Sequence, residues 1–271
     1  MAIFSIDGWS TNEIETIMLF QSGKCVALLD EINAFKITNA EEEKSMTLGD
    51  GAVFGTKKHS KKVTGSGTSA VLSGGLMAVQ LGTEEKHTDI KVKQRDSGLT
   101  ISGTETLTCV TRCTASGTVG SEIGYVWVTN ASTGVKTQYE QTSSTLATGK
   151  FTYTAATKTI TFYSDDVTAG DKVECYYDVA LDDNTATQYT SNIDNFAEEA
   201  EVVVTCLAKN ACGEEALMQL IIPRCDFKGN FEEDFGGDQL VHNFEFEALA
   251  NKCGGEHNLW NHIIYNDPAA V

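Results

Sequence analysis

Eight cysteines and five histidines are the residues of this chain with the most readable chemistry, and their spacing limits what they can do. Cys109-x3-Cys113, Cys206-x5-Cys212 and Cys253-x3-His257-x4-His262 each offer zinc-type donors, but none is the tight CxxC pair of a structural zinc site. On one strand, Cys109 and Cys113 would share a face about 13 Å apart at ~3.3 Å per residue, too far to hold one ion. His59, His87 and His242 are scattered, with no Gly-x-Ser-x-Gly elbow or Cys/His neighbourhood, so nucleophilic catalysis has no support. Gly65-Ser66-Gly67 lacks the Lys-Ser/Thr ending of a phosphate-cradling loop and reads as a turn. No catalytic residue, cofactor or metal is expected.

The charged residues carry the remaining signal. Glu232, Glu233, Asp234, Glu245 and Glu247 could supply an acid/base couple, but a solvated acidic face is the simpler reading. Lys57, Lys58, Lys61 and Lys62 with His59 form the one basic cluster, and no aromatic residues interleave with it as a nucleic-acid platform requires. The whole chain has 38 acidic and 20 basic residues, a net charge of −18 that repels a phosphate backbone. Residues 196–271 hold 14 acids against 4 bases, so the surplus is concentrated there. No apolar run approaches the ~20 residues needed to cross a bilayer, and Met1 to Ser10 does not read as a leader. Reduced, mostly buried thiols are therefore expected.

Strands must position most of these residues, because apolar positions recur at every second residue in short blocks bounded by Gly, Asn, Asp and Thr. Leu107, Cys109, Thr111 and Cys113 share the face of one block, and Ile123, Tyr125 and Trp127 mark a second. Val173, Cys175, Tyr177 and Val179 mark a third, and Leu240, His242, Phe244 and Phe246 a fourth. Phe151 to Tyr163 reads as a hairpin, and 201–208 and 216–222 as paired strands, the second ended by Pro223. One helix is expected over 66–82, capped by Thr68 or Ser69 and ended by Gly82. Within it, Gly74 and Gly75 each cost about 1 kcal/mol relative to Ala, so packing must hold it. Residues 39–63 read as a long charged loop, and the Thr/Ser-rich 97–195 segment as a β-rich insertion, a small sandwich, in a core of 1–96 plus 196–271.

This order of elements, with the segment Gly65-Ser-Gly-Thr-Ser-Ala-Val-Leu-Ser-Gly-Gly-Leu76, resembles phage tail tube, or major tail, proteins. Gly149-Lys-Phe-Thr-Tyr153, Ile160-Thr-Phe162 and Ala169-Gly170-Asp171-x-Val173 with Tyr177 look like β modules recurrent in phage virion proteins. Phe227-Lys-Gly-Asn-Phe231 and Asn243-Phe-Glu-Phe-Glu-Ala-Leu249 are similar to the closing strands of tube proteins. The middle segment is longer than a minimal tube fold needs.

The resemblance implies a mainly β fold, a tail-tube-like barrel or sandwich with one flanking helix, whose copies form hexameric rings stacked into a tube for genome ejection. It implies a virion component of the tail, assembled in the host cytoplasm. Its partners would be its own copies, the tape measure protein, the tail terminator and the baseplate or tip proteins, with a sheath protein in a contractile tail. DNA would pass without specific binding, and no membrane partner is implied. Glu41, Glu42, Glu43, Lys57, Lys58, Lys61 and Lys62 would then contact the next ring, and Glu232, Glu233, Asp234, Glu245 and Glu247 would line the lumen. The rival readings are a head decoration protein, a tail terminator, or an adhesion or carbohydrate-binding sandwich using Trp9, Trp127 and Trp260.

Overall fold

The computed structural model describes residues 8–47, 52–232, 241–250 and 258–266. The chain divides into two compact units, 1–85 with 189–271 and 86–188. In chain order the elements are β1 (Trp9–Gln21), β2 (Lys24–Leu29), β3 (Ile32–Thr47), β4 (Val53–Ser69) and α1 (Gly74–Leu81). Then come β5 (Lys91–Thr100), β6 (Thr108–Val110), β7 (Tyr125–Thr129), β8 (Lys136–Gln141), β9 (Lys150–Thr154), β10 (Thr159–Phe162) and β11 (Lys172–Ala180). The chain returns to the first unit with β12 (Glu199–Asn210), β13 (Glu215–Phe227), β14 (His242–Ala248) and β15 (Asn261–Tyr265). The protein is mainly β, as its alternating blocks require, with a nearly closed barrel-like sheet and a second sheet.

In the first unit the strands follow the order β2-β1-β12-β13-β14-β4-β3, with β15 added along β13. Alternate residues turn inward to one core: Ile17 and Leu19 from β1, Val202 and Val204 from β12, and Ile222 from β13 are all at most 2% exposed. Pro223 does not end β13. It sits where the β12–β13 register slips between Ala200 and Val202, a bulge that removes the need for its missing N–H.

The tightest packing joins β14 to β4. Phe244 and Phe246 lie opposite Gly67 and Gly65 across the ladder. A Cβ on Gly65 would fall 2.1 Å from the Phe246 ring, and one on Gly67 2.4 Å from the Phe244 ring. Phe35 and Phe227 complete the aromatic stack, Phe227 at 5.4 Å and Phe35 at 6.3 Å from Phe246 by ring centroids. The glycines that read as a turn are thus a bare stripe of strand. The helix is shorter than the expected 66–82: α1 starts at Gly74, Ser73 caps it by accepting from the Leu76 N–H, and Gly82 ends it in a left-handed conformation.

His242 is fully buried beside this stack. Its Nε2 is 2.7 Å from Gln80 Oε1 on α1, and Gln80 Nε2 donates to the Asn243 carbonyl, tying helix to strand. Burial pushes the imidazole pKa below its ordinary value.

The second unit is a seven-stranded sheet in the order β5-β11-β7-β8-β9-β10-β6, antiparallel except between β8 and β9. The chain enters and leaves it as a pair, with the N–H of Lys86 donating to Gln188 and that of Gln188 to Lys86. Val173, Cys175 and Tyr177 pack with Phe151, Ile160 and Phe162 in its core. The expected hairpin is there as β9 and β10 joined through a 3-10 turn at Ala155–Thr157. The Cys109 block is shorter than expected, since β6 stops at Val110, and the second block faces inward through Val126 and Val128 while Tyr125 is exposed. Buried Asp96 accepts from the Tyr177 hydroxyl (2.7 Å) and the Arg112 N–H (2.8 Å). Buried Asp171 accepts from the N–H groups of Ala131 and Thr168, both at 2.8 Å. Each buried carboxylate therefore has the partners it needs.

Two outcomes follow for stability. Gly65→Ala forces the Phe246 ring out of a filled stack and is expected to lose about 1–3 kcal/mol in urea unfolding. The unfolded chain, with a His pKa of about 6.5, takes up a proton that buried His242 resists, so stability is full above that pH and falls as pH drops below it. Chemical denaturation between about pH 7 and pH 5 should show His242→Phe declining less steeply than the parent.

Candidate functional site

Residues 39–47 and 53–63 are not a loop. β3 and β4 continue as an antiparallel pair through this span, from Asn39 opposite Val63 out to Thr47 opposite Val53. Up to Val63, β4 is also paired with β14 and turns Val63, Gly65, Gly67 and Ser69 inward. Farther out, Ala40–Thr47 and the facing part of β4 pair only with each other, and nearly every described side chain there is exposed. Because neither face is buried, no apolar alternation marks these residues as strand. A two-stranded ribbon standing alone in water is marginal, so this one needs support from its anchorage and its cross-strand pairs.

Those pairs come from the clusters singled out in the sequence. Lys58 Nζ donates to Glu41 at 2.6 Å and lies 3.7 Å from Glu43. Lys61 is 3.9 Å from Glu41, His59 is 3.4 Å from Glu42, and Lys62 pairs with Glu247 of β14 at 2.8 Å. The Lys58 hydrogen bond lowers the Glu41 pKa, and Glu41 raises that of Lys58. Acids and bases expected to meet across subunits thus pair within the chain on both faces of the ribbon, Glu41 and Glu43 with Lys58 and Lys61 on one and Glu42 with His59 on the other. Lys44, two residues along β3 from Glu42 and so on its face, lies directly across from Lys57, and among the described residues neither has an ion pair. Like charges opposed in this way destabilise a ladder unless an outside group compensates them.

The expected acidic surface is only partly assembled. Glu233 and Asp234 lie outside the described residues, and Glu232 is exposed just before them. Glu245 and Glu247 point outward from β14, but Glu247 is held by Lys62, and the neighbouring Asp226 by Lys228 at 3.0 Å. This face of the barrel carries mixed charge.

A surface that the sequence reading missed lies on the outside of the same sheet. Leu28, Met18, Val203 and Ile221 are successive cross-strand neighbours on β2, β1, β12 and β13. They alternate with the core-facing residues and run to the edge at Leu28, which is 56% exposed, whereas Val203 is already buried at 7%. β2 is a sheet edge, as is β3 on the far side, so both present unpaired backbone groups. Alternation hides the row, because both faces of β1 and β12 are apolar at these positions.

The thiols read as packing groups. Burial pushes Cys109 and Cys175 up to about 12, which keeps them protonated at neutral pH. Cys206 faces the core and Cys212 sits in the exposed β12–β13 turn, while Cys253 and His257 lie outside the described residues. Trp127 stacks edge-on with Tyr176 and under Lys136, Trp9 is half-buried against the first core, and Trp260 meets His262 edge-on. Around Trp127 and Tyr176, Lys136 and Arg95 both bind Glu174, whose carboxyl is lowered to about 2. Trp9 and Trp260 belong to the first unit and Trp127 to the second.

A family model described as the YomU/Tube protein family matches residues 12–260. No curated protein matches the chain.

The ribbon's ion pairs can be checked directly. Lys58→Glu should raise amide hydrogen exchange several-fold across 40–47 and 55–62 and leave exchange of β12 unchanged. Adding Glu41→Lys should restore the protection. Unchanged exchange in the single variant would show that backbone pairing alone holds the ribbon.

Proposed function

The chain belongs to the YomU/Tube protein family, a phage-derived family whose name points to a tube protein, and we propose that it is a structural, non-enzymatic subunit polymerising into the tail tube. The observation that carries this reading is the ribbon: a two-stranded extension, exposed on both faces, rooted in a nearly closed barrel. A monomer gains nothing from such an element, but a polymer gains a contact that reaches beyond its own ring.

Ring closure has its own support in the apolar row from Leu28 to Ile221, which runs to the open β2 edge. A neighbour placed at that edge would bury Leu28 and cover the open strand together, removing a template for uncontrolled pairing. Six subunits per ring follow from the resemblance to tail tube proteins, as do the tape measure, terminator, tip and sheath partners and genome passage. The net charge of −18 suits a conduit through which DNA slides without sticking.

Negative-stain electron microscopy of the purified protein across a concentration series is the test. Stacked rings or tubes are the expected result. Isolated rings that never lengthen would favour a terminator-like role, and monomers at every concentration would overturn the proposal.

A further inference from the structure

One sheet face of the second unit gathers the side chains that make strong protein contacts. Trp127 on β7 lies across from Glu174 on β11, and Tyr176, two residues along β11, lies across from Arg95 on β5. Tyr125 and Tyr176 are 50% and 45% exposed, and the rings of Trp127 and Tyr176 meet edge-on at 6.1 Å. Arg95 stands 5.7 Å over Tyr176 and Lys136 5.7 Å over Trp127, and Glu174 holds both cations in place. Side chains ordered before a partner arrives lose less entropy on binding. Trp, Tyr and Arg are also the types that dominate binding energy at protein interfaces.

The charge of this face is opposite to that of the chain. Lys93, Arg95, Lys136 and Lys172 flank the rings, against Glu174 and Asp178. The first unit, by contrast, holds 26 acids and 11 bases, and so −15 of the net −18. The face fits a partner that presents carboxylates beside apolar side chains. Nucleic acid fits poorly, because Glu174 sits among the rings and the rest of the chain repels phosphate.

The 192–198 loop of the first unit has the complementary pattern. Ile193 and Phe196 are 89% and 80% exposed. Asp194 and Glu198 are exposed beside them, and among the described residues neither is in an ion pair. The backbone beneath is fixed: Asn192 Oδ1 accepts from the N–H groups of Asp194 and Asn195, both at 2.9 Å, and the Glu198 N–H donates to the Val79 carbonyl at 2.9 Å. The Phe196 carbonyl lies so close to Gly82 that a Cβ there would fall 2.0 Å from it. An ordered loop thus holds two large apolar side chains out in water, the mark of a contact surface. Three residues apart, their backbones are at most about 10 Å from each other. Tyr125 and Trp127 are about 7 Å apart along β7, with β11 about 5 Å to the side, so the two sets match in span.

We propose that this face is the docking site for the 192–198 loop of a second copy of the chain, with Ile193 and Phe196 packed on Tyr125, Trp127 and Tyr176, and Asp194 and Glu198 beside Arg95 and Lys136. The inference rests on the reading that the chain polymerises, and it names a pair of surfaces through which copies meet. Because loop and face are different surfaces, each contact leaves one of each free, and the assembly closes into a ring or keeps growing.

The test uses the full chain. With p-benzoylphenylalanine in place of Phe196, an equal mixture of 15N-labelled and unlabelled protein is irradiated and the joined peptides are read by mass spectrometry. Links to peptides containing Tyr125 and Trp127, or Tyr176, in mixed-isotope pairs are expected. Ile193→Ser with Phe196→Ser removes only exposed groups, so circular dichroism melting should be unchanged while the concentration needed for assembly, read by sedimentation, rises roughly ten- to a hundredfold. Arg95→Glu with Lys136→Glu, and Asp194→Lys with Glu198→Lys, should each weaken assembly, and an equal mixture of these two double variants should recover it through unlike copies. If the wild-type chain assembles but the links join other peptides or stay within one isotope, or if the double serine variant assembles like wild type, the docking site is wrong and the tube reading stands. If the wild-type chain never associates, both are overturned.

Discussion

The seating of Phe244 and Phe246 on the bare backbone of Gly65 and Gly67 is the contact on which the first unit depends. It fixes β4 between β14 and β3, closes one side of the core, and gives a long hairpin a rigid root. Without side chains at those two positions the aromatic rings approach the strand closely enough to stack with Phe35 and Phe227 as a single filled layer. Interiors packed to this density do not deform smoothly, so the direction of the strand is passed outward to the ribbon.

Beyond that root, hydrophobic burial no longer holds the pairing and electrostatics takes its place. Exposed ion pairs are individually weak and screened by salt, yet several of them along the ribbon set the register and discourage slippage. His59 marks the slip between Glu42 and Glu43, where two residues of β4 oppose one of β3. Lys44 and Lys57 are left out of this pairing.

Elements with one buried face were legible from residue order. Val173, Cys175 and Tyr177 turn inward together, as do His242, Phe244 and Phe246, because alternation with burial leaves a period of two. The 151–163 hairpin and the β12–β13 pair were readable for the same reason. The ribbon was not, since charged residues exposed on both faces carry no period. The helix start was misread because a glycine stripe in a strand leaves out the side chains that would show its alternation. The Tyr125 block was read on the wrong face because Gly124, at φ 71, turns the chain between Ile123 and β7. Of the candidate site, the charged clusters were visible by composition, whereas their pairing within one chain depends on a register that only the folded ladder supplies. The apolar row and the aromatic face depend on cross-strand neighbours far apart in sequence.

The paired backbone of Lys86 and Gln188 has a bearing on how the chain came to be built. A segment whose two ends are already clamped side by side can be spliced into a host fold at little entropic cost to that fold. The second unit, with its own core and its own buried carboxylate clasps, therefore has the character of a cassette. Lineages could exchange, elaborate or discard it while the barrel and its ribbon stay under separate selection.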